Sequence, residues 1–231
     1  SQCIDSVLSQ THQSIDHIII DGASSDGSLD LIKSKANQHS KIKWISEPDK
    51  GIYDALNKGL KIATGDIIGF LHADDILANS KTLQDIQRVF EIENCDGVYG
   101  DLHYVNKRNT GKIIRYWRSQ EFNPHLLQQG WMPTLFLKYN VYKNYGDFDI
   151  SYKIAADYDF ILRIFKQSHL KFEYLPKTIV NMRVGGASNR NLKNILKKMQ
   201  EDLKALRQNQ IGGMPTLIKK NLSKLPQFFK K

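Results

Sequence analysis

Cysteine is nearly missing from this sequence: 231 residues contain two, Cys3 and Cys95, in no CxxC pattern. A disulfide framework and a structural zinc site are therefore not expected, and a reducing compartment fits. The seven histidines are scattered without metal-ligand spacing. Long apolar runs are lacking too. The longest, Ile67 to Ala73, has the length of a buried strand, far short of the roughly 18 residues that a membrane span needs. No charged-then-apolar segment opens the chain, so secretion is not expected. There is no internal repeat and no low-complexity linker. Acidic residues are scarce at one end. From Lys193 to Lys231 ten Lys or Arg face only Glu201 and Asp202, so this tail holds +8 of the net +9.

What is present describes a globular chain, with 41% hydrophobic and 25% charged residues. Ile4, Val7 and Leu8 have helical spacing, so Ser1 to Gln10 reads as a helix. Asp16 to Ile20 reads as a strand, and its unbroken Ile18 to Ile20 run predicts burial on both faces. A turn at Asp21 to Gly27 and a helix to about Ala36 follow. Lys41 to Ser46 is a second strand, Glu47 to Gly51 a loop, Ile52 to Ala63 a helix and Ile67 to Leu71 a third strand. That repetition predicts an α/β fold with βαβ units and helices on both faces.

After residue 95 the pattern changes. Asp96 to Val105 and Gly111 to Trp117 read as antiparallel strands joined through Lys107 to Thr110. A helix over Ala156 to Lys166 and a strand at Leu170 to Tyr174 follow. Leu192, Ile195, Leu196, Met199, Leu203 and Leu206 form an amphipathic helical set. Gly212 to Pro215 breaks it, and Ile218, Leu222, Leu225 and Phe229 form a shorter set interrupted by Pro226.

Ligands of open α/β sheets bind beyond the carboxyl ends of the strands. Three strand ends here carry acids: Asp21, then Glu47 and Asp49, then Asp74 and Asp75. They are expected to converge on one crevice. Ser24 and Asp26 read as turn and cap residues, whereas Asp21 and Asp75 end apolar runs, where a carboxylate without a partner is costly. Adjacent carboxylates in His72-Ala-Asp-Asp75 suit a divalent cation that carries phosphate oxygens, because Mg²⁺ uses only one or two protein carboxylates.

Four motifs occur in order: Asp21-Gly-Ala-Ser-Ser-Asp-Gly-Ser28, Glu47-Pro-Asp-Lys-Gly-Ile-Tyr-Asp-Ala-Leu-Asn-Lys-Gly59, Thr64-Gly-Asp-Ile-Ile-Gly-Phe-Leu-His-Ala-Asp-Asp75 and Ala155-Ala-Asp-Tyr-Asp-Phe160. Together they resemble the family 2 glycosyltransferases, in particular the bacterial branch that builds surface polysaccharides. The resemblance implies a GT-A fold, a Rossmann-like mixed sheet flanked by helices, over residues 1–191. Residues 192–231 would be a C-terminal amphipathic basic extension.

It also implies a nucleotide-sugar donor (a UDP-sugar first), Mg²⁺ or Mn²⁺, inversion at the anomeric carbon, and a saccharide or lipid-linked acceptor. Asp21 matches the acid that contacts the nucleotide base. Asp75 matches the metal ligand of the DXD-type motif, and Asp74 the residue near the ribose or donor sugar. Asp49 and Lys50 would line the donor pocket. Asp157 matches the general base of the family's ED motif, with Ala156 in place of the Glu.

Other features bear on the resemblance. The family's first strand, before the helix at Ser1 to Gln10, is not found and no initiator Met is present, so the sequence reads as a fragment or an incomplete chain. Gly130-Trp-Met-Pro-Thr-Leu-Phe136 lacks the His that many relatives carry there, and no role is assigned to it. A processive QxxRW motif is missing, which favours single transfer. The alternatives are a truncated or vestigial nucleotide-sugar-binding protein and a nucleotidyltransferase-like enzyme. Nucleic acid is not an expected partner, because the tail has neither a zinc pattern nor an RNP-like aromatic signature. Its basic charge matches an anionic membrane surface. The expected location is cytoplasmic, peripheral at the inner face of the plasma membrane. Tyr116, Trp117 and Trp131 are candidates for stacking on acceptor sugars, and Arg183-Val-Gly-Gly-Ala-Ser188 reads as either a phosphate-facing loop or a simple turn.

Overall fold

The computed structural model describes residues 1–128, 134–185 and 192–222. The first six elements follow the expected order: α1 (Gln2–Leu8), β1 (His17–Asp21), α2 (Ser28–Gln38), β2 (Ile42–Ser46), α3 (Ile52–Ile62) and β3 (Ile67–Gly69). Then come β4 (Ile76–Leu77), α4 (Thr82–Glu93), β5 (Gly97–Val105), β6 (Ile113–Trp117), α5 (His125–Gln128), β7 (Thr134–Lys138) and α6 (Tyr139–Tyr145). The chain closes with α7 (Ala156–Phe165), β8 (Phe172–Arg183), α8 (Leu192–Gln208) and α9 (Met214–Leu222).

The strands divide between two sheets among the described residues. β1 and β2 form a parallel pair, with Ile18 opposite Lys43 and Asp21 opposite Ser46. The larger sheet has the order β3-β7-β5-β8-β4, with β6 also paired to β5. β5 runs parallel to β8 and antiparallel to β6 and β7. The expectation of three successive strands in one βαβ series is corrected here: β3 pairs antiparallel with β7, not with β1. The buried Ile18 to Ile20 run is corrected as well. All three are only half-buried, because a two-stranded ribbon offers fewer covered faces than the interior of a wide sheet.

β8 is longer than the expected Leu170 to Tyr174 and continues through Pro176 to Arg183. Its register against β5 slips at Gly100 and Asp101, skipping Pro176 and Lys177. A proline without an N–H is tolerated at such a bulge. Gly100 permits the close approach, since a Cβ there would sit 2.8 Å from the Lys177 carbonyl oxygen.

α7 carries the main core. Tyr158, Phe160, Ile161, Leu162, Ile164 and Phe165 are all buried, and they pack with Tyr99, Leu137, Tyr142 and Phe148. A helix buried around its circumference cannot show an amphipathic stripe. On the opposite face of the large sheet, Ile86 and Phe90 of α4 meet Val98, Phe136, Leu175 and Val180. Ile4, Ile32 and Ile42 form a smaller cluster that joins α1 and α2 to β2.

Ala205, Leu206 and Leu217 belong to the α7 core, so α8 and α9 pack onto it. Lys220 is fully buried. Its ammonium lies 2.8 Å from Asp202 and 3.2 Å above the Tyr158 ring. Lys198 reaches the same Asp202 oxygen at 2.9 Å. Leu225, Pro226 and Phe229 lie outside the described residues, as do Gly130 to Pro133.

Candidate active site

The N-terminus of α7 is assembled from three distant segments. Ala155, its N-cap, has no side-chain cap. The N–H groups of Lys153, Ile154 and Ala155 instead donate to Glu201 of α8, at 3.0, 2.8 and 3.1 Å. Asp157 follows in the first turn. Its Oδ1 accepts the Tyr158 N–H at 2.8 Å and the Tyr53 hydroxyl at 3.1 Å. Tyr53 also lies 2.7 Å from the Ile154 carbonyl oxygen. Asp157 Oδ2 has no hydrogen bond among the described residues. Burial pushes the Asp157 carboxyl above its ordinary value, against the Tyr158 N–H, the Tyr53 hydroxyl and the charges of Lys198 and His72. Burial, followed by the Asp157 charge, raises the Tyr53 phenol in turn, so it remains a neutral donor.

Asp159, two residues on, is engaged elsewhere. It is buried, paired with Arg163 at 2.6 Å and bonded by Asn209 Nδ2 at 2.8 Å. The Asn209 bond ties α7 to the residue that follows α8, within the core.

The second group of acids sits after β3. The Asp75 N–H donates to the His72 carbonyl at 2.9 Å, closing a turn. Asp74 is exposed, whereas Asp75 is buried, and its Oδ1 accepts the Arg183 N–H at 3.3 Å. Burial pushes the Asp75 carboxyl up to about 6; the Asp74 charge adds to this, and His72 and Arg183 oppose it. The Arg183 guanidinium bonds the Asp74 carbonyl and Gln2 Oε1. Cys3 donates to the His72 carbonyl at 3.3 Å, so α1 backs the turn.

Among the described residues no three His, Cys, Asp or Glu group into a ready-made metal cage. Two adjacent carboxylates, one buried, resisting ionisation and with no hydrogen bond to its Oδ2 among the described residues, do fit a cation whose remaining ligands come from phosphate and water.

Asp21 ends β1 almost fully buried, and its partners are internal: the Ser24 N–H at 3.0 Å and the Ser46 hydroxyl at 2.6 Å both reach Oδ2. Burial opposes ionisation there, but these bonds win and hold the carboxyl below its ordinary value. Asp26 takes the Ser28 N–H at 3.1 Å, as a turn residue would, while the N-cap of α2 is Gly27. Asp49 accepts the Gly51 N–H at 2.8 Å. A Cβ on Gly22 would meet Asp49 Oδ2 at 2.4 Å, so the two loops lie close together and a side chain at residue 22 would displace the Asp49 carboxylate. Lys50 is exposed, and its carbonyl takes the Lys153 ammonium at 3.3 Å.

The structure thus joins Asp21 to Asp49 through Gly22, the loop of Asp49 and Lys50 to Asp157 through α3 and Tyr53, and Asp74 to Asp75 through their turn. His72 lies close enough to influence both Asp75 and Asp157. Tyr53 and Glu201 carry no role in the motif reading. Tyr53 lies within the quoted second motif, so a signal existed; Glu201 offered none. Arg183 stands beside the Asp74–Asp75 turn, where the Arg-Val-Gly-Gly pattern had pointed to phosphate or to a turn; residues 186–191 are outside the described set. Tyr116 is exposed and meets His103 edge-on at 4.9 Å, while Arg115 lies over Trp117 at 5.7 Å.

A mixed central sheet with flanking helices, acids at the strand ends and a carboxylate at a helix entry define a GT-A-like α/β protein. The chain belongs to glycosyl transferase family 2, whose model matches residues 1–171. A PGL/p-HBAD biosynthesis glycosyltransferase of Mycobacterium tuberculosis (strain ATCC 25618 / H37Rv) is 30% identical over 191 residues, 81% of this chain and 73% of the relative. Among solved structures, Staphylococcus aureus TarS 1–349 with UDP superposes with TM-score 0.66 at 17% identity, over 89% of this chain and 60% of that one. The mannosyltransferase PcManGT from Pyrobaculum calidifontis, with GDP-Man and Mn²⁺, gives TM-score 0.65 at 16% identity, over 97% of this chain and 65% of that one. This chain therefore spans less than two thirds of either solved neighbour.

Proposed function

We propose that this chain transfers a single sugar, with inversion, from a nucleotide-sugar to a hydroxyl of a saccharide or lipid-linked acceptor in surface glycan synthesis. The observation that carries the reading is Asp157, a half-buried carboxylate with one oxygen held by Tyr53 and Tyr158 and the other without a hydrogen bond among the described residues. In a single displacement the acceptor O–H gives its proton to Asp157 Oδ2. Its oxygen bonds the anomeric carbon as the bond from that carbon to the nucleotide diphosphate breaks. Tyr53 holds the base in place as a neutral donor.

Asp75, with Asp74 toward the ribose or sugar, would hold Mg²⁺ or Mn²⁺, which when bound neutralises the diphosphate leaving group. Arg183 adds a positive charge at the same place. Asp21, Asp49 and Lys50 would line the nucleotide side. A UDP-sugar is the first donor to test, since TarS has been solved with UDP and with UDP-GlcNAc. Exposed Tyr116 would supply an acceptor-stacking surface. A screen of UDP-, GDP- and dTDP-sugars with Mn²⁺ or Mg²⁺ tests the reading. Nucleotide binding without sugar turnover from any donor would make this a binding protein instead.

Among the described residues no helix is long and apolar enough to cross a membrane. The C-terminal helices nevertheless leave Ile195, Leu196 and Met199 of α8 and Met214, Ile218 and Leu222 of α9 exposed, beside exposed Lys193, Lys197 and Lys219. Apolar side chains flanked by lysine match the interface of an anionic bilayer. This face would hold the enzyme peripherally at the cytoplasmic side of the plasma membrane, where a lipid-linked acceptor resides.

A further inference from the structure

We infer that Glu201 is the positioning residue for sugar transfer, setting from α8 where the free oxygen of Asp157 stands. The inference rests on the reading of Asp157 as the base. Among the described residues no neighbouring side chain caps the entry to α7: Ala155 has no side-chain cap, and Ala156 follows it. Glu201 supplies what the local sequence lacks. Three successive N–H groups, from Lys153, Ile154 and Ala155, converge on its carboxylate, Ile154 and Ala155 on Oε2 and Lys153 on both oxygens. Hydrogen bonds to an ionised acceptor are about twice as strong as neutral ones, and three together leave the segment little freedom.

The platform under Glu201 is anchored in the core. Its neighbour Asp202 is 1% exposed and paired with both Lys198 and Lys220. Ala205 and Leu206, one turn further, lie in the α7 core.

The clamp meets the catalytic group through one hydroxyl. Tyr53 bonds both the Ile154 carbonyl, inside the clamped segment, and Asp157 Oδ1. A shift of residues 153–155 therefore moves Asp157 and its donor together. Glu201 makes no hydrogen bond to Asp157 itself, so it acts through the backbone. The groups that influence Asp157 electrostatically are Tyr53 from α3, His72 from the turn after β3 and Lys198 from α8. Glu201 lies beyond the 1–171 segment that the family model matches.

The test compares Glu201→Ala, Glu201→Gln and Asp157→Asn, using whichever nucleotide-sugar gives turnover and Mn²⁺ with UDP as the binding probe. Misplacing a reacting group by about 1 Å costs on the order of 100-fold. Glu201→Ala should lower kcat by that order while leaving the donor KM and Mn²⁺–UDP binding unchanged. The acid limb of kcat should move to lower pH as Asp157 becomes hydrated. Glu201→Gln retains one acceptor oxygen and should recover part of the rate, and it also serves if the alanine variant does not fold. In an Asp157→Asn background, Glu201→Ala should cost no further activity. If folded Glu201 variants lose only thermal stability and keep kcat and the acid limb, the positioning role is overturned while the base assignment stands. Full transfer by Asp157→Asn would overturn both.

Discussion

Asp157 and Asp159 lie two residues apart in one helical turn, yet their surroundings give them different work. Asp159 has its charge met by Arg163 and Asn209 inside the core, whereas Asp157 Oδ2 has no hydrogen bond among the described residues. Asp157→Asn should lower transfer about 10²- to 10⁴-fold, the usual contribution of a general base, with nucleotide binding retained in a calorimetric titration. Asp159→Ala removes the carboxylate partner of Arg163, which keeps its bonds to the Tyr145 and Asp147 carbonyls, and should cost about 1–3 kcal/mol in a denaturant melt, with kcat per folded molecule nearly unchanged. The base acts only when ionised and burial raises its pKa. The acid limb of the kcat profile should therefore lie above the ordinary carboxylate value of 3.8, with rate lost as pH falls through it.

Asp75 allows a second residue-level prediction. Its folded-state value of about 6 exceeds the ordinary 3.8, so between those values the folded state binds more protons than the unfolded chain. Stability should then fall as pH rises through that window, by roughly 3 kcal/mol at most. Asp75→Asn should melt higher than the parent at pH 7.5 and lose the stabilisation that Mn²⁺ with UDP gives the parent. A parent whose melting temperature is level from pH 4.5 to 7.5 would contradict this. Chelation with EDTA should abolish transfer in the parent, and added Mn²⁺ or Mg²⁺ should restore it.

Elements legible in the sequence were those whose surroundings are simple. α1, α2 and α3 fall where periodicity and turn residues put them, and β5 and β6 form the expected antiparallel pair around Lys107 to Thr110. α4 has Ile86 and Phe90 four residues apart, a short helical signal between the Asp74–Asp75 motif and residue 95. β8 runs on past Tyr174 through Pro176, and only the partner strand shows that a bulge absorbs the proline. Gly100 is the hinge of that arrangement. Gly100→Ala would press a methyl group against the Lys177 carbonyl and should destabilise by about 1–3 kcal/mol, measured by chemical denaturation.

In the whole molecule the basic tail divides. Lys220 is buried on Asp202, so cutting the chain before it would leave a buried carboxylate short of a partner, and any loss of membrane binding would be confounded with unfolding. Point changes on the exposed face are the cleaner probe. Leu196→Gln with Ile218→Gln should weaken co-sedimentation with phosphatidylglycerol-containing vesicles while leaving the melting temperature within a degree or two. The parent's binding should fall as salt is raised, because lysine–lipid attraction is screened over a Debye length. Equal sedimentation by parent and variant would remove this face as the docking surface.

The sequence by itself determined the α/β class, the acids at strand ends and the family motifs. These depend on local periodicity and on short spacings that survive without coordinates. It also singled out Asp157, Asp75, Asp74, Asp21, Asp49 and Lys50 as candidates. Only the tertiary structure decided which acids have internal partners: Ser24 and Ser46 for Asp21, Arg163 for Asp159, and, among the described residues, none for Asp157 Oδ2. It alone separated β1 and β2 from the large sheet, because strand pairing is a long-range choice that a strand's own residues do not encode. And it alone brought Glu201 to Lys153, Ile154 and Ala155, a contact across more than forty residues that depends on how α8 packs and leaves no trace in local sequence.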